Sequence, residues 1–421
     1  MTLRAMALAV LSGCALVLAG CGGGGEDAHR YFFIDTKGRL AVADQNSNVL
    51  RVIDLDSNQS AGSFTLANPP SALHASPGGR YVVAVQRTHN RVQFVDGGVW
   101  QEDHGDHLHD YKNPARMTAF QIEGPQPTHY DDRHGRASIF MDGVAGPPLE
   151  PSRAVLFDDE AIGRGRLLAS LPPLPYAVHG FAEPNGDVLV VTHRSADAVD
   201  TLPNYLHVWR RSGETFVKAQ ELPTRCDRMH GSYTRLTLTV AGCADSVVFV
   251  RRDASGNFTS QAVVTGKRVS LVAGHPKQPR MIGTGSVGTP TTSHFFDLDP
   301  DTARASEIRI EGWSDGLVRR AHAFDRQGRQ FFVLDSQGRI HVLEFSAGSW
   351  RLKKRLDGVI PNMPTAAPFP AFAVNGAKDE LYVSDPTGRA IVTIDTAALE
   401  VRSRSALDFA PLTIAWTGIT R

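Results

Sequence analysis

From His29 onward the chain repeats one pattern: a short strand, a turn carrying Gly, Asn or Asp, and a second, strongly apolar strand that often closes on Asp or Gly. The second strands fall at residues 40–44, 81–85, 138–142, 188–192, 236–240, 280–284, 331–335 and 381–385, at intervals of about 40 to 57 residues. A third strand follows each after a turn, at 49–54, 92–95, 154–157, 206–209, 247–250, 294–297, 340–343 and 391–394. Such an interval suits a four-stranded propeller blade, and no segment sustains a helical period. The repeat therefore predicts an all-β chain folded as a single closed β-propeller of eight four-stranded blades. Seven blades plus an irregular segment is the alternative. Closure must hide the unpaired edge of the first blade, and residues 411–416 are placed to do so by joining the N-terminal strands. Neither a linker nor a shift in composition divides residues 29–421, which read as one domain.

A targeting segment precedes the repeat. Within residues 1–20, Arg4 opens an apolar run over 5–19 that is too short and wrongly flanked for a membrane span. It ends Leu18-Ala19-Gly20-Cys21, which is similar to a bacterial lipobox, so Cys21 is expected to carry a lipid and to begin the mature chain. Plain secretion with cleavage nearby is the alternative. Residues 22–28 open with four glycines and read as a flexible tether. The folded part is expected in the periplasm, with a membrane contact only through the lipid. Cys14 leaves with the signal, and Cys226 and Cys243 remain. They flank a strand-turn-strand pattern centred near Tyr233 and Thr234, which predicts a disulfide in an oxidising compartment; a reduced thiolate pair assisting a metal is the alternative. Lys+Arg and Asp+Glu number 44 each, so no basic field points to nucleic acid.

Histidine carries the chemistry. The stretch Glu102-Asp103-His104-Gly105-Asp106-His107-Leu108-His109-Asp110 holds three imidazoles and four carboxylates in nine residues, the ligand types that Zn²⁺ and its borderline neighbours select. Gly105 and the charge density predict an exposed loop. In an extended segment His107 and His109 point the same way, and His104 or an aspartate can fold round as a third ligand. A solvated acidic loop is the bland alternative. A second signal lies in the repeats: His74, His129, His179, His230, His275 and His322 fall at nearly one phase of the first strands. First strands line a propeller's channel, so the six are expected to converge at one level, on the mouth from which the loop emerges. Each histidine taken singly reads more simply as a hydrogen-bonding residue. No Gly-rich phosphate loop, nucleophile elbow, haem attachment motif or repeated tryptophan docking motif is present.

With its export signal, propeller repeat and His-Gly-Asp-His-Leu-His stretch, the sequence resembles the periplasmic zinc metallochaperones of the AztD type. The resemblance covers the mature chain in architecture and is specific over residues 102–111. It implies a monomeric propeller that binds Zn²⁺ and passes it to the zinc-binding protein of an ABC importer. It implies His104, Asp106, His107 and His109 as first metal ligands and the channel histidines as second. The lipobox is a departure, because a freely diffusing chaperone needs no anchor. Chemistry also favours transfer over catalysis, since a stretch with more ligands than one ion needs can exchange them stepwise. Binding of this kind should weaken as pH falls toward the ordinary imidazole range. A lipid-anchored interaction scaffold and a metal-dependent, lactonase-like hydrolase are the competing readings. The hydrolase needs carboxylate or amide ligands in a channel where the repeat supplies mainly histidine.

Overall fold

The apolar second strands stack the sheets against one another. In Arg39–Asp44, Leu40 and Val42 pack with Tyr382 and Ile391 on one side, whereas Ala41 and Ala43 pack with Leu73 and Val82 on the other. Tyr81–Gln86 does the same, with Tyr81, Val83 and Val85 facing Ile139 and Phe157, and Val82 and Ala84 facing Val52. Successive side chains of a strand alternate faces, so a strand buried on both sides is apolar throughout.

The computed structural model describes residues 32–198 and 201–421; the signal segment, Cys21 and the glycine tether lie outside them. The described strands form six four-stranded sheets, one eight-stranded sheet and a separate two-stranded hairpin. The eight-stranded sheet is two groups of four joined at one parallel bridge, Ser170 to Thr215. The resulting eight groups of four are numbered here as units 1 to 8 in chain order. Each of eight apolar clusters spans the boundary between two neighbouring units, that between unit 8 and unit 1 included. The core is thus a ring of inter-sheet layers, as a propeller requires.

Closure follows the expectation. Pro411–Thr417 is the innermost strand of unit 1 and pairs antiparallel with Arg39–Asp44, Arg39 opposite Thr417 and Val42 opposite Ile414. The second and third strands lie where the repeat placed them, with one shift. Leu236 adopts a left-handed backbone (φ 52°) in a turn, and its strand begins at Leu238. Unit 3 departs most from the pattern: its fourth strand is only Ala169–Ser170, with the short helix Asp159–Gly163 ahead of it. The disulfide forms as expected between Cys226 and Cys243, with Cα atoms 5.3 Å apart. No described helix is long and apolar enough to cross a membrane.

Candidate metal centre

First strands of a propeller run in one direction, so their starting ends share one mouth of the channel. At that mouth, where units 3, 4 and 5 begin, three imidazoles meet. His129 stands near the start of Pro127–Arg133, while His179 and His230 precede Ala182–Asn185 and Ser232–Arg235. The Nε2 atoms of His129 and His179 are 3.4 Å apart and those of His179 and His230 are 3.0 Å apart. Among the described residues this is the one group of three or more His, Cys, Asp or Glu whose ligand atoms all lie within 4.8 Å. Ligand nitrogens around a tetrahedral zinc, with bonds of ~2.0–2.1 Å, are separated by about 3.3 Å. The trio fits such an ion.

The second ring nitrogens explain why Nε2 faces inward. Asp142 Oδ2 lies 2.7 Å from His179 Nδ1 and also accepts from Arg87 Nη2 and Thr128 Oγ1. Burial alone would raise this carboxyl, but the hydrogen bonds from His179 and Arg87 outweigh it and hold it below the usual range. As a carboxylate it can only accept, so the neutral tautomer it selects has the proton on Nδ1 of His179 and the lone pair on Nε2. His230 is fixed likewise, its Nδ1 2.7 Å from the carbonyl of Ser270. Burial, with His230 and His179 beside it, pushes His129 down to about 3. Burial also lowers His230, against the Ser270 hydrogen bond. His129 therefore stays neutral and able to ligate well below pH 6, and the shift on His230 acts in the same direction.

The other three repeat histidines do not join, which corrects the expected six-fold convergence. His74 stacks on Tyr130 with ring centroids 4.6 Å apart. His275 ends its strand, where its Nδ1 accepts from Lys277 N at 3.2 Å. His322 Nδ1 accepts from Arg319 Nη1 at 2.9 Å. A similar phase in the first segment of each unit did not mean equal height. In units 4 and 5 the histidine lies outside the strand, and in unit 6 it lies past the paired centre.

The acidic, histidine-rich stretch forms a hairpin, Val99–Asp103 with Leu108–Lys112, rather than an unpaired loop. His104 N donates to the His107 carbonyl at 3.0 Å, and Gly105 supplies the left-handed turn (φ 92°). The rings of His104, His107 and His109 gather at the tip, with centroids 5.2, 5.0 and 4.7 Å apart in pairs. Asp106 Oδ1 lies 2.5 Å from His107 Nδ1. All four expected ligands thus share one exposed tip. Asp110, by contrast, is buried and anchors the hairpin base, accepting from Ile34 N, Gln101 Nε2 and Arg421 Nη2. Elsewhere in unit 3, Asp131 is buried, Arg133 pairs with Glu183, and His134 Nε2 lies 3.2 Å from the Leu236 carbonyl.

Hairpin and trio occupy opposite mouths, a second correction. The hairpin springs from Asp96, which pairs with Tyr81 at the start of its unit's second strand. Asp142 and Arg87 follow the ends of such strands. A six-residue strand of roughly 20 Å separates the two levels. Asp142 was missed from sequence as a partner; the repeated Asp closing the second strands was the available signal, and Asp335 serves buried His341 in the same way, 2.9 Å from its Nε2.

Fold and site together define a β-propeller with a three-imidazole cluster of zinc-binding composition at one mouth of its channel. The resemblance read from the sequence is borne out by comparison: the chain is 24% identical over 395 residues to the zinc chaperone AztD of Citrobacter koseri, covering 91% of this chain and 87% of that protein. The crystal structure of that AztD superposes with a TM-score of 0.74 at 19% identity, covering 90% of this chain and 96% of the other. Its apo structure gives 0.73 over the same shares. No family model matches the chain.

Proposed function

We propose that this protein is an extracytoplasmic zinc carrier that holds Zn²⁺ on His129, His179 and His230 and surrenders it to the zinc-binding protein of an ABC importer. One observation carries the reading: three Nε2 atoms converge at one mouth, two of them with their opposite nitrogens fixed by Asp142 and Ser270. Similarity to a named zinc chaperone over most of the chain supports it. Three protein ligands leave a tetrahedral ion one position short. In a carrier an acceptor's side chain enters there, and the ion passes ligand by ligand without release to water.

His104, Asp106, His107 and His109 form a second, exposed zinc site on the opposite mouth. Its ligands stand on a two-stranded ribbon, so it exchanges metal faster than the trio. A lipid on Cys21 holds the carrier at a membrane surface, and the ring acts as a monomer.

Titration of the metal-free protein with zinc tests this. Two separable sites are expected. H129A/H179A/H230A removes the tighter one and leaves the other, and H104A/H107A/H109A does the converse. Unchanged zinc binding in both triple variants would refute the carrier.

A further inference from the structure

Semi-buried arginines of this chain are given acceptors, several of them a carboxylate, while Arg136 and Arg211 reach backbone carbonyls. Arg80 meets Asp96, Arg133 meets Glu183, Arg280 meets Asp297 and Arg339 meets Asp335. Arg319 and Arg320 are less well provided. Both are partly buried, and among the described residues neither has a carboxylate in ion-pair range. Arg319 gives one hydrogen bond to a neutral partner, His322 Nδ1, and Arg320 lies over the ring of Phe369, 3.9 Å from its centroid. The Nε atoms of both arginines are buried without a hydrogen-bond acceptor. Burial pushes both guanidiniums down, Arg319 to about 10, and Arg320 adds to the effect on Arg319.

Their placement is specific. They open Arg319–Phe324, the first strand of unit 7, and so stand on the mouth that carries the three histidines. Arg319 is opposite Asp335 and Ala321 opposite Leu334, which leaves Arg320 as the extra residue of a bulge. A bulge breaks the alternation that would send adjacent side chains to opposite faces. Two like charges brought together out of water destabilise the fold unless a counter-charge joins them.

We propose that the Arg319–Arg320 bulge is an oxyanion site and that its ligand is a carboxylate, whose two oxygens match the fork of a guanidinium. The site stands on its own geometry. Its use rests on the carrier reading: an acceptor segment bearing a carboxylate is drawn to the mouth where zinc has an open position.

The test uses the metal-free full chain, with glutarate as probe, followed by calorimetry at fixed ionic strength. Glutarate should bind saturably. R320Q should weaken it about tenfold, the scale of one lost charge-assisted hydrogen bond, and R319Q/R320Q should abolish it. Inorganic phosphate is a parallel arm; tighter phosphate binding lost in the same variants supports the oxyanion site and assigns it to phosphate. Glutarate binding unchanged in both variants, or equal competition by chloride, overturns the proposal. Zinc titration of the same variants separates the two readings. Normal zinc binding with lost glutarate supports an anion site, whereas lost zinc and a lowered melting temperature in R320Q would make the arginines mere supports of the mouth. Wild-type protein that takes no zinc defeats the carrier and leaves the glutarate result standing.

Discussion

Asp142 decides which nitrogen of His179 faces the mouth, and it does so from 37 positions away in the chain. An amide at 142 would accept more weakly and could also present its NH₂, releasing the tautomer. D142N should therefore weaken zinc at the trio by about 10- to 100-fold, the usual loss on removing a ligand's orienting partner. Competition against a chelating dye measures this, and an unchanged affinity would show that Asp142 serves only Arg87 and Thr128. Two buried histidines outside the trio contribute to the response to acid, in the same sense as His129. Burial holds His74 down to about 4, against Asp132, and His322 down to about 3, with Arg319 adding to the effect. In the unfolded chain such groups take protons near pH 6.5. Below that, the unfolded state binds protons that the folded state refuses, so stability falls until the folded values are reached. The slope grows to ~1.4 kcal/mol per pH unit for each group only below the unfolded value, so from pH 6.5 to 5.5 these two should cost the metal-free protein roughly 2 kcal/mol. Denaturant melts at the two pH values would read it directly, and equal midpoints would contradict the neutral, buried imidazoles. The histidines themselves were legible in the sequence; Asp142 and the Ser270 carbonyl were not, because tertiary packing alone brings them to their partners.

Among the elements, the segment that delivers His230 is held by the disulfide. Cys226 lies four residues before His230, and Cys243 directly follows Leu238–Gly242, whose Gly242 carbonyl accepts from His230 N. Replacing both cysteines by serine should cost about 3 kcal/mol, the loop-closure value for a bridge spanning 17 positions. It should also weaken zinc at the trio and leave the hairpin site as it was. A variant that loses stability but keeps both affinities would limit the bridge to a staple. The second strands could be read so well because burial on both faces demands uninterrupted apolar residues. Outer strands gave no such signal: every residue of Glu400–Ala406 is exposed, and its alternation of polar and small side chains resembles a loop. Leu236 misled for a related reason, an apolar residue in a turn that looks like the start of a strand.

For the whole molecule, closure rests on pairing residues more than 360 positions apart, since Asp44 meets Pro411. Without Pro411–Thr417 the edge of Arg39–Asp44 is open and the layer between units 8 and 1 loses Ile414 and Trp416. A chain ending at Asp408 should therefore elute as oligomers or aggregate, and a monomer of native circular dichroism would show that the ring needs no clasp. Propeller and closing strand were legible because repeat length and edge protection are properties of the chain as a string. Which mouth each histidine reaches was not, since a shift of two or four residues along a strand moves a side chain between levels without altering the pattern.

Arg421 adds a second fastening, reaching the carboxylate of Asp110 under the histidine hairpin while its guanidinium covers Phe33. The histidine hairpin is therefore made early in synthesis but secured late. Units 3 to 5 can fold from the middle of the chain, whereas the base of the hairpin is complete only when Arg421 arrives. Assembly then carries its own inspection: a chain cut short by a protease or a premature stop has the hairpin imidazoles but not the grip beneath them.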